Sequence, residues 1–187
     1  MKVSKSLLAI LALLAIVSCR KTSNNMVASN GGANVSSNSA AKSHSVPFKG
    51  NMTYTLNPNL SLSCNCGSMA TVGNFDGAGT STHMGALTSH NKTCASPIMM
   101  GTMQVGNHIV IECGSFTTAS GDDIYVNINP YDLLFGNTSA TGQLTAEFAG
   151  GTGRFVNATG SFTGTITLNY SNPNVVTLTN IDGSIDY

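Results

Sequence analysis

From Phe48 to Tyr187 the chain is a succession of segments in which apolar and polar residues alternate with a period of two, with breaks at Gly, Asn, Asp and Ser. No segment in that range has the three-to-four-residue period of an amphipathic helix. Phe48, Met52, Tyr54 and Leu56 share one face, and Lys49, Asn51, Thr53 and Thr55 the other. Ile109, Ile111 and Cys113 oppose His108, Val110 and Glu112. Ile124, Val126 and Ile128 oppose Tyr125, Asn127 and Asn129. Leu144, Ala146 and Phe148 oppose Thr145 and Glu147, and Phe162, Gly164, Ile166, Leu168 and Tyr170 oppose a ladder of threonines. A last strand is expected over about Val175–Ile185. Weaker strands are expected at Met69–Phe75, Thr80–Ser89 and Met99–Val105. Two turns stand out, Ala119-Ser120-Gly121-Asp122-Asp123 and Asn172-Pro173-Asn174. Together these predict an all-β domain over 47–187, a single antiparallel barrel of about eight strands.

The formal net charge of the whole chain is zero, but the charges are divided unevenly. From Val46 onward the bases are Lys49, Lys92 and Arg154. The acids are Asp76, Glu112, Asp122, Asp123, Asp132, Glu147, Asp182 and Asp186, so the folded part carries −5. An acidic, charge-poor domain without a basic patch argues against nucleic-acid binding. About 140 residues suffice for one core.

The first eighteen residues have a different character. Lys2 and Lys5 precede the apolar run Leu7–Ala15, which is too short for a permanent membrane span. The run leads into Ile16-Val17-Ser18-Cys19, which resembles the lipobox of bacterial lipoproteins. The resemblance implies removal of residues 1–18, a diacylglycerol on the Cys19 sulfur and residence in the cell envelope, at the outer membrane. The membrane partner would then be reached through the N-terminal lipid, since two or three acyl chains hold a protein durably. Residues 19–46, rich in Ser, Asn, Gly and Ala, cannot offset chain entropy by burial and are expected to form a disordered tether. Random-coil scaling gives it a reach of roughly 30 Å.

The run Ala149-Gly150-Gly151-Thr152-Gly153-Arg154-Phe155, continuing through Val156-Asn157-Ala158-Thr159-Gly160-Ser161-Phe162, resembles the glycine-rich segment of the dirigent and allene oxide cyclase barrel superfamily. The resemblance implies an eight-stranded barrel with a central cavity and, as in the plant members, a trimeric homo-oligomer. It carries over no catalytic residue. Physically, Gly150, Gly151 and Gly153 read as a structural turn that needs positive φ, followed by an inward Phe155.

Cys64, Cys66, Cys94 and Cys113 are an even set for disulfides in an oxidising compartment. Cys64 and Cys66 are too close to bridge comfortably. Two pairings remain: Cys64–Cys94 with Cys66–Cys113, or Cys64–Cys113 with Cys66–Cys94. The same cysteines with His83, His90 and several methionines could suit a soft metal, but no spacing fixes a geometry, so no metal or other cofactor is assigned. Asp122-Asp123 lacks calcium-loop spacing. His83, His108, Glu112, Tyr125 and Arg154 are candidate polar residues of a barrel cavity, with a surface placement of His108 and Glu112 as the alternative. No nucleophile elbow or catalytic set is present. The expected function is non-enzymatic binding of a small apolar or amphipathic ligand or a surface partner. The alternatives are a cyclase or isomerase working in the cavity, and a structural envelope protein. Cys19→Ser is expected to abolish acylation and release the chain from membranes, as read by fractionation and N-terminal mass; unchanged fractionation with the acyl mass retained contradicts the lipobox.

Overall fold

The structure, a computed structural model, describes residues 44–187 apart from 63–65 and 68–69. The signal segment, Cys19 and nearly all of the tether lie outside the described residues, as does Cys64. The elements are β1 (Ser45–Pro47), β2 (Gly50–Leu56), β3 (Ala70–Ser81), β4 (Gly85–Met100), β5 (Met103–Thr118), β6 (Asp123–Ile128), β7 (Tyr131–Phe135), β8 (Ser139–Gly151), β9 (Thr159–Asn169) and β10 (Val175–Asp186). One turn of 3-10 helix, Gly153–Phe155, lies between β8 and β9.

All pairings are antiparallel, and β10 returns to pair with both β9 and β2. The sheet thus closes into a ring of eight strands. Two of these are broken. The β1 segment pairs with the last residues of β10 where β2 leaves off, so β1 and β2 act as one interrupted strand. In the same way β6 and β7 lie in tandem between β5 and β8, separated by Asn129-Pro130. Proline has no N–H to give the ladder, which accounts for the break there. The Ser45↔Asp186 pairing also puts Ser45 and Val46 in the sheet, slightly earlier than the expected start of the domain.

The ring is uneven. Strands β4 and β5 run to 16 residues each, whereas β7 has 5. Register shifts interrupt several ladders, including one in β10 between Leu178 and Ile181. Asn180 there has φ 53°, a conformation that asparagine tolerates. The shift puts Leu178 and Ile181 both inside although they are three residues apart, so simple alternation fails locally.

Two expected strands prove to be hairpins. Thr80–Ser89 spans the β3–β4 turn, where His83 has φ 64° and Gly85 φ 71°. Met99–Val105 spans the two-residue turn at Gly101-Thr102. Tyr170 lies just beyond β9 and is exposed rather than inward. The two strong turn sequences hold: Gly121 N donates to Thr118 O, and Val175 N to Asn172 O.

Strand direction places the β3–β4, β5–β6 and β8–β9 connections at one end of the ring and the β2–β3, β4–β5, β7–β8 and β9–β10 connections at the other. The first end is packed solid. Phe48 lies 5.0 Å from Phe148, 5.1 Å from Phe162 and 6.1 Å from Phe116, ring centre to ring centre. Such pairs contribute beyond the area they bury. The glycine run completes this end. Gly150 has φ 90° and Gly153 φ 52°, while Phe155 is fully buried 4.8 Å from the Tyr187 ring. A Cβ on Gly153 would also collide with the Asp122 carboxylate.

At the other end, Cys66 and Cys94 form a disulfide between the β2–β3 connection and β4. This is one pair of the second expected pairing. The chain-entropy model gives a loop of this length about 3–4 kcal/mol.

Gly153→Val is expected to cost ~1–3 kcal/mol through backbone strain, and Phe155→Ala ~3–5 kcal/mol through lost packing. Denaturant unfolding checks both; an unchanged midpoint for either variant would show that the turn does not brace the packed end.

Candidate functional site: a cavity in the barrel

The phenylalanine cluster fills only part of the ring. Beyond it lies a cavity of about 110 Å³, to which every strand of the ring contributes a wall residue. Tyr54 comes from β2, Phe75 from β3, Asn91 and Thr93 from β4, and Ile109 from β5. Ile128, Tyr131 and Leu133 come from β6 and β7. Leu144, Ile166, Leu168, Val176 and Leu178 close the ring, and Pro173 of the β9–β10 turn lies at the far end. A water needs on the order of 10–15 Å³ of such space, so a ligand of roughly ten non-hydrogen atoms fits.

The polar groups of this wall are Tyr54 on β2, Asn91 and Thr93 on β4 and Tyr131 on β7. Along β4, Leu87, Ser89 and Asn91 point inward at alternate positions, and all three are buried. Ser89 Oγ donates to Asn91 Oδ1 at 3.0 Å. Two glycines make room for the cluster. A Cβ at Gly114 would collide with the Asn91 side chain, and one at Gly77 would come within 2.6 Å of the Tyr54 ring. Burial pushes the Tyr54 hydroxyl up to about 12, with the nearby Asn91 and Ser89 side chains pulling the other way. Burial raises the Tyr131 hydroxyl as well, and the proximity of Tyr54 adds to it, since two phenolates so placed would repel. Both tyrosines are therefore neutral donors at physiological pH.

The residues singled out by their chemistry lie elsewhere. His83 is an exposed turn residue at the packed end. His108 points outward, its Nδ1 2.8 Å from Asp132 Oδ1, with both side chains about half exposed. Tyr125 is exposed on β6. Arg154 is exposed and stacks over Phe155 and Tyr187, at 4.7 and 5.5 Å from their ring centres. Glu112 is on β5, between Ile111 and Cys113, where the register with β4 shifts; the side chains of these three lie outside the described residues. None of His83, His108, Tyr125 and Arg154 lines the cavity. His83 and Arg154 belong to turns at the packed end, and on the barrel wall an ionisable group such as His108 stays in water unless a partner inside compensates it.

The soft-ligand set is also dispersed. His83 lies at the packed end, whereas exposed Met99, Met100 and Met103 form the tip of the β4–β5 hairpin at the cavity end. Among the described residues no three His, Cys, Asp or Glu side chains gather in one place. On the outer wall Asp76 accepts from Asn57 Nδ2 at 2.6 Å and lies 2.7 Å from His90 Nδ1; these bonds hold its carboxyl below the usual range.

No protein-family model matches the chain, and no curated protein or solved structure is significantly similar to it.

Tyr54 gives a pH dependence with a definite sign. Its pKa is about 12 when folded, against 10.0 for the free side chain, so between those values the folded state holds more protons than the unfolded one. Its contribution is complete below pH 10 and is lost as pH rises through the folded value, by roughly 2–3 kcal/mol across the window. Unfolding measured against pH in wild type and Tyr54→Phe is expected to show a shallower alkaline decline in the variant. Identical declines would place the hydroxyl in water.

Proposed function

We propose that the chain is a bacterial lipoprotein, held to the envelope by a lipid on Cys19, whose barrel binds a small apolar or amphipathic ligand. The observation that carries the binding half of this reading is the cavity itself. Its wall is mostly apolar, with at least one residue from every strand and a few polar groups among them, the combination expected of a small-molecule site. A wall of Leu, Ile, Val and Phe holds water poorly, so a ligand gains by replacing it. The likeness of the 149–162 run to the dirigent and allene oxide cyclase barrels supports the same reading, because those barrels enclose a cavity. Binding is favoured over cyclase or isomerase chemistry because, among the described lining residues, none is a carboxylate, imidazole or amine. General acid–base work at neutral pH calls for a group with a matched pKa, and burial moves the two lining tyrosines further from neutrality. A purely structural role would leave the cavity without purpose.

The test uses toluene as a wholly apolar probe and the soluble Cys19→Ser chain. Toluene is expected to raise the melting temperature of this chain. Leu144→Trp, which fills the cavity from the middle of β8, is expected to weaken toluene binding at least ten-fold, or about 1.4 kcal/mol, while the variant remains folded by its β-sheet spectrum. Equal binding by both proteins would place the site outside the barrel, and no binding by either would end the cavity reading.

A further inference from the structure

The cavity wall is uncharged, and so are the connections at the end of the barrel that holds it. The segments from Gly50 to Phe75, Thr93 to Asn107, Leu133 to Ala146 and Phe155 to Ile181 contain no Asp, Glu, Lys, Arg or His. They include the β2–β3, β4–β5, β7–β8 and β9–β10 connections, all of those at the cavity end. The nearest charged or basic side chains are on the outer wall. His90 and Lys92 alternate with inward Asn91 and Thr93, and His108 and Asp132 with inward Ile109 and Leu133. The Asp76–His90 and His108–Asp132 contacts are made there, on the outside.

Inside, the hydrogen-bonding groups are those of Tyr54, Ser89, Asn91, Thr93 and Tyr131. Ser89 and Asn91 are engaged with each other. The Tyr131 hydroxyl, like that of Thr93, makes no hydrogen bond among the described residues, and Tyr131 lines the cavity beside Tyr54. A phenol that faces the cavity can donate to any guest that brings an acceptor.

We infer that the cavity takes an uncharged ligand bearing a hydrogen-bond acceptor, such as an alcohol, ketone or phenol, oriented by the Tyr131 hydroxyl, and that it rejects carboxylates. This rests on the cavity reading above and narrows it to a ligand class. A carboxylate in the cavity would lose its hydration and meet no cation, an arrangement that buried charges avoid. A neutral oxygen loses less water and gains the free phenolic donor. Selection of this kind comes from what the wall lacks as much as from what it offers.

A matched pair of probes with one hydrocarbon chain, octanol and octanoate, tests the inference by calorimetry on the Cys19→Ser chain, with toluene as the apolar reference. At neutral pH octanol is expected to bind at least ten-fold more tightly than octanoate. The gap should narrow near pH 4, where a carboxyl of ordinary pKa about 4.3 takes up its proton. Tyr131→Phe is expected to weaken octanol about five-fold and leave toluene unchanged, a split that general loss of folding cannot produce. If toluene binds and octanoate matches octanol, or if Tyr131→Phe leaves octanol unaffected, the inference is overturned and the cavity reading stands. If toluene itself fails to bind, both fall.

Discussion

Closure of the sheet through β10 is the constraint on which the remaining features depend. This strand pairs with β9 along one edge and with β1 and β2 along the other, joining the two ends of the chain's described part. A closed antiparallel ring has no exposed edge to recruit another strand. It also fixes how much space eight strands enclose, just enough for side chains to fill or for one small ligand. Here both outcomes occur in one barrel. Phe48 and the three phenylalanines around it fill one half, and smaller aliphatic residues leave the other half partly open.

The division between the halves continues into the charges. Asp122, Asp123, Arg154, Asp182 and Asp186 belong to the packed end, where Lys49 also pairs with Asp182 at 3.1 Å. The connections at the cavity end have none. Rigid packing is supplied by one end of the barrel, and an apolar, neutral interior by the other. Cys66–Cys94 ties the long β2–β3 connection to the wall at the cavity end, where the aromatic cluster does not reach.

Much of this was legible in the sequence, and the exceptions have physical causes. Alternation through Met52, Tyr54 and Leu144–Phe148 revealed strands and their inward faces because a half-buried sheet demands a period of two. The glycine run revealed its turn because positive φ excludes most residues. Boundaries failed at Thr80–Ser89, where small polar residues give neither face an apolar signature. The site failed for a related reason. Sequence reasoning assigns polar residues to the wet face, yet Ser89 and Asn91 follow the inward phase set by Leu87, and only that phase could have disclosed them. Tyr131 follows the strand-breaking Pro130 and offered no alternation of its own. Reactive types such as His83, His108 and Arg154 attracted attention, but a neutral cavity has no use for them.

The central claim is that half of the ring is kept open for an uncharged guest. A crystal structure of the mature chain extracted from its native membrane tests this most directly, through the density inside the ring formed by Tyr54, Tyr131, Leu144 and Leu178. The account predicts an open cavity in which density for an uncharged molecule reaches the Tyr131 hydroxyl. A collapsed ring, with those side chains packed against one another and no space between them, would contradict it.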